Sequence, residues 1–112
     1  MMTAETFWAN IYIGLRAGYS GKLHHMAKLE KLCQNYVDKV GLAVTVTKTK
    51  FIYTKGNEPG AIIGLINYPR FPQPPLLIAA HATALAEILK DKLGQERVSI
   101  VTPHVTTMLG EK

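Results

Sequence analysis

Hydrophobic and polar positions alternate strictly from Phe7 to Leu15. Ala9, Ile11, Ile13 and Leu15 share one face, and Trp8, Asn10, Tyr12 and Gly14 share the other, the period of a β-strand. A flexible corner, Arg16 to Gly21, follows. From Leu23 the period changes: Met26, Leu29, Leu32, Cys33, Tyr36, Val37 and Val40 recur at three and four, the stripe of an amphipathic helix. Gly41 fits the residue just past its end. Alternation returns from Leu42 to Tyr53. Leu42, Val44 and Val46 lie on one face and are followed there by Lys48 and Lys50, which protect an edge. Thr45, Thr47, Thr49, Phe51 and Tyr53 lie on the other.

The stretch Lys55-Gly56-Asn57-Glu58-Pro59-Gly60 reads as a turn, because two glycines accept positive φ and Pro59 donates no N–H. Ala61 to Asn67 is the most apolar short run and is expected as a central strand, covered on both sides. Pro69, Pro72, Pro74 and Pro75 impose a rigid corner. A second helix is expected over Leu76 to Leu93, with Pro75 in its first turn and Gly94 closing it. Arg97 to Thr102 forms a last strand. Residues 103–112 either fray or dock on a neighbour through Val105, Met108 and Leu109.

The order is β-α-β-β-α-β, the split βαβ pattern. Over nearly its whole length the chain resembles the ferredoxin-like α+β superfamily. That resemblance implies a single domain, residues 1–112, with a four-stranded antiparallel sheet in the order 4-1-3-2 and both helices on one face. The opposite face is then open, carrying Trp8, Tyr12, Thr47 and Phe51. It is too apolar for bare surface, so self-association into a dimer or small ring is expected there, with Phe71 as a further interface anchor.

Composition narrows the function little. Thirteen basic residues against eight acidic give a formal charge of +5, with the lysines scattered as on a solvated face. The basic-aromatic consensus of RNA-recognition modules is missing, and aliphatic side chains stand where stacking rings are needed, which argues against nucleic acid. The N-terminus shows no secretory signal, no window reaches the length of a membrane span, and one cysteine, Cys33, supplies neither a disulfide nor a metal framework. A cytoplasmic protein without metal or cofactor is expected.

Two groups of side chains can carry chemistry. The exit of the first strand brings Arg16 and Tyr19 near Lys55, Asn57 and Glu58. There Arg16 and Lys55 can grip an anion, and Glu58 can act as a general base or merely decorate a turn. The Pro-framed corner presents Asn67, Tyr68 and Arg70, suited equally to ligand binding or to an interface. The reading that follows is a homo-oligomer binding an anionic or nucleotide-like small molecule. The alternatives are a cofactor-free isomerase or lyase and a protein–protein adaptor.

Overall fold

The computed structural model describes residues 1–18 and 20–110. Seven elements follow one another: β1 (Trp8–Gly14), α1 (Met26–Val40), β2 (Thr45–Tyr53), β3 (Gly56–Ile66), α2 (Pro75–Lys92), β4 (Arg97–Val101) and β5 (Thr106–Gly110). The strands form one antiparallel sheet in the order β2-β3-β1-β4-β5. The fold is thus α+β, with five strands rather than four. The first four keep the expected order. The tail supplies the fifth, Thr106–Gly110, which pairs with β4 after a tight turn at Pro103 and His104. Thr102 holds that turn: its N–H and hydroxyl both donate to the Val105 carbonyl, at 3.0 Å each.

Alternation decides which residues meet the helices. Ala9, Ile11 and Ile13 of β1 stand opposite Leu65, Ile63 and Ala61 of β3 and are buried beneath α2. Ile78, Ala82, Leu85, Ala86 and Leu89 of α2, with Leu29 and Cys33 of α1, complete the core. Pro75 opens α2 in its first turn, where a missing N–H costs nothing. Gly41 ends α1 at φ 75°, and its N–H donates to the Val37 carbonyl at 2.8 Å. The Tyr36 hydroxyl and His81 Nδ1, 2.8 Å apart, tie the two helices together. Among the described residues, no helix is long and apolar enough to cross a membrane.

The turn between β2 and β3 corrects the sequence reading. The glycine- and proline-rich stretch is not a loop but the first half of β3: Gly56, Asn57, Glu58, Pro59 and Gly60 pair with Tyr53, Ile52, Phe51, Lys50 and Thr49. The reversal is made by Thr54 and Lys55 alone, with Lys55 at φ 64°. Pro59 instead ends the ladder with β1. Its carbonyl accepts the Leu15 N–H at 3.0 Å, but it has no N–H to return. The Leu15 carbonyl takes its bond from the His24 N–H, at 2.8 Å. Beyond this point β2 and β3 continue as a two-stranded arm past the end of β1, and Ile52 there is 80% exposed.

The apolar run of β3 is covered on one side only. Ile62 and Ile66 face away from the helices, and Ile66 is half-exposed. The run reads as doubly buried because its outward residues belong to an apolar open face, shared with Trp8, Tyr12, Thr47 and Met108.

Candidate functional site

The open face holds a cleft of about 390 Å³ where the arm leaves the sheet. Pairing of β1 with β3 and β4 puts Gly14 beside Gly60 and Tyr12 beside Ser99. The Phe51 ring lies directly upon Gly60, which is buried beneath it, and a Cβ there would also stand 2.6 Å from the Ile13 carbonyl. A Cβ on Gly14 would stand 2.7 Å from Glu58 Oε2 and 2.9 Å from Gln95 Oε1. These two oxygens therefore converge over bare backbone. Tyr12, Phe51 and Tyr53 supply aromatic surface around them, and Arg16, Glu96, Arg97 and Ser99 complete the rim.

Of the residues singled out from the sequence, Arg16 and Glu58 line this cleft together, and so do Tyr12 and Phe51. Tyr19 lies outside the described residues. Lys55 occupies the hairpin turn at the tip of the arm and is exposed there. Asn57 pairs with Ile52 and so belongs to the opposite face of the sheet from its neighbour Glu58. Glu58 is a strand residue, paired with Phe51, not a turn decoration. Trp8 and Thr47 lie farther along the open face, opposite Ile66 and Ile62.

The Pro-framed corner gathers at the other end of the sheet. Asn67 is occupied by backbone there. Its Nδ2 donates to the Glu5 carbonyl at 2.7 Å, and its Oδ1 accepts the Gln73 N–H at 2.9 Å. Tyr68 and Phe71 pack ring to ring, 5.2 Å between centroids. They border a void of about 20 Å³ against Ile78 and His81, room for one water and not for a metabolite. Arg70 is exposed at the tip of this corner.

The sequence reading missed Gln95, Glu96 and Arg97. They follow the end of α2, distant in sequence from Arg16 and Glu58, and only the β1–β4 pairing brings them in. A signal existed: alternation puts Ser99 on the open face, and two residues back the same face reaches Arg97.

No protein-family model matches the chain, and no curated protein does. Solved structures do. A phage SAM lyase in its apo state superposes with a TM-score of 0.80 at 16% identity, covering 95% of this chain and 90% of the other. A phage SAM lyase in complex with S-methyl-5'-thioadenosine gives a TM-score of 0.74 at 13% identity, with 99% and 94% covered. The fold is shared across nearly the whole of both chains. The nucleoside is a property of that complex.

Proposed function

We propose that this protein binds an adenosine-type nucleoside in the open-face cleft and splits S-adenosylmethionine there, as a lyase. The observation that carries the reading is a cleft of about 390 Å³ with aromatic walls and a carboxylate over a glycine floor, on a fold shared end to end with a SAM lyase. That volume lies in the range of small-molecule sites, about 300–1,000 Å³. We also read the β-α-β-β-α-β core as ferredoxin-like, with β5 an addition at its edge.

The chemistry suits an open site. A lyase adds no water, so the four-carbon fragment leaving S-methyl-5'-thioadenosine must complete its own bonding. Its carboxylate attacks Cγ, the Cγ–S pair passes to sulfur, the sulfonium becomes a neutral thioether, and the fragment closes to a lactone that keeps its ammonium. No base and no cofactor are needed. Intramolecular attack carries an effective molarity of about 10⁵–10⁸ M, far above that of surrounding water. In this reading Tyr12, Phe51 and Tyr53 face the adenine and the sulfonium, which aromatic faces attract. Glu58 contributes negative charge toward a substrate that carries two positive groups, and it orients the chain.

The test is incubation of purified protein with S-adenosylmethionine, followed by liquid chromatography and mass spectrometry. Time-dependent S-methyl-5'-thioadenosine in equal amount with a lactone is the expected result. Unchanged substrate at high enzyme concentration refutes the lyase reading. Open-chain homoserine as the initial product refutes the intramolecular step. We further propose self-association through the open face around Trp8, Ile66 and Met108, and native mass spectrometry reports it as a discrete multimer.

A further inference from the structure

We infer that Gln95 is a specificity residue whose side-chain oxygen accepts a hydrogen bond from a ribose hydroxyl of the bound nucleoside. This rests on the nucleoside reading of the cleft. The orientation of the amide follows from its partners. Gln95 Nε2 donates to the Arg16 carbonyl at 2.9 Å and to the Leu93 carbonyl at 3.1 Å. Both partners are acceptors only, so the NH₂ group must face them and Oε1 must face away. Oε1 is thereby aimed over Gly14, the position that Glu58 Oε2 also overhangs.

The result is two acceptor oxygens of different charge above one hydrogen-only backbone position. A phosphate has no donor to offer such a pair, whereas a ribose offers hydroxyls, one of which can donate to Gln95 Oε1 while Glu58 keeps its charge for the cationic end of the substrate. The side chain is also anchored at both donors before any ligand arrives, so little rotamer entropy remains to be lost on binding. Gln95 bridges the exit of β1 to the end of α2, which makes it equally able to act as a structural tether alone. The experiment must separate those roles.

Binding of S-methyl-5'-thioadenosine and of its 2'-deoxy and 3'-deoxy analogues is measured by calorimetry on wild type, Gln95→Met and Gln95→Lys. The lysine variant retains a donor for the two carbonyls and lacks the acceptor. Wild type is expected to lose about three- to tenfold in affinity for one deoxy analogue, the worth of a neutral hydrogen bond. Both variants are expected to bind the parent nucleoside more weakly by a similar factor and to ignore the loss of that hydroxyl. Equal weakening of all three ligands by both variants overturns the inference and leaves Gln95 a tether. Failure of wild type to bind any of the three overturns the nucleoside reading and, with it, this assignment.

Discussion

Replacing Gly14 by alanine separates the site from the fold. The new methyl meets only side-chain ends, Glu58 Oε2 at 2.7 Å and Gln95 Oε1 at 2.9 Å; the Glu58 carboxylate can swing aside at small cost, and Gln95 Oε1 need yield only slightly about its tethered Nε2. Alanine in a strand also recovers about 0.5–1 kcal/mol of the backbone entropy that glycine forfeits. The net change in stability is therefore within about 1 kcal/mol of zero, a melting shift of at most about 4–5 °C for a domain this size. The methyl does, however, occupy the space above the floor and push apart the two oxygens. Gly60→Ala is the control: its methyl meets the Ile13 carbonyl at 2.6 Å and the Phe51 ring, and backbone cannot step away. That substitution costs about 1–3 kcal/mol by overpacking. Thermal unfolding and calorimetric titration with S-methyl-5'-thioadenosine on both variants give the comparison. Gly14→Ala is expected to melt near wild type and to bind at least tenfold more weakly. Unchanged binding would refute the placement of the ligand over Gly14, and a melting temperature as low as that of Gly60→Ala would refute the geometry.

Glu58→Gln keeps shape and removes charge. It should raise KM for cationic S-adenosylmethionine several-fold while leaving affinity for the neutral product within about twofold, read by steady-state kinetics and calorimetry. Burial is the larger cause, and nearby Glu30 a smaller one, that pushes the Cys33 thiol from its ordinary 9.0 up to about 11. The unfolded chain therefore releases this proton first as pH rises. Stability should be intact below pH 9 and fall between pH 9 and 11, and Cys33→Ala should flatten that slope in melting curves. Leu85→Ala opens a cavity under the sheet and should lower stability by about 2–5 kcal/mol in a denaturant titration, with cleft chemistry retained at low temperature.

The fold was legible where periodicity carried it. Ile11 and Ile13 against Tyr12, and Leu29 and Cys33 on a 3.6-residue stripe, announce the strand and helix that bury them. Two elements escaped for identifiable reasons. Thr106 and Thr107 are polar and follow a proline, so β5 has no apolar alternation to reveal it; it is an edge strand held by backbone pairing with β4. The turn was misplaced because Gly56, Asn57, Pro59 and Gly60 carry every local mark of a reversal, whereas the actual reversal puts Lys55 at φ 64°, a conformation its side chain does not advertise. The glycines are there for other reasons. Gly60 makes room for the Phe51 ring, and Pro59 releases the Leu15 carbonyl to His24. As for the site, Arg16 and Glu58 were reachable because a hairpin and a neighbouring strand end are close in topology. Gln95 was not, since what it does depends on two carbonyls, those of Arg16 and Leu93, that no side-chain pattern encodes.

Because Pro59 terminates the ladder with β1, residues 50–58 hang from the sheet by one set of hydrogen bonds, and Ile52 on them stays exposed. Phe51, Tyr53 and Glu58 all ride on this cantilever, whereas Gln95 and the glycine floor at Gly14 belong to the packed body. One jaw of the cleft is thus soft and the other stiff. The arm can open at a cost set by a few strand bonds, far below that of unfolding the core. Amide protons of the arm will then exchange in a class of their own, and their slowing is a direct gauge of how firmly anything in the cleft clamps the two jaws together.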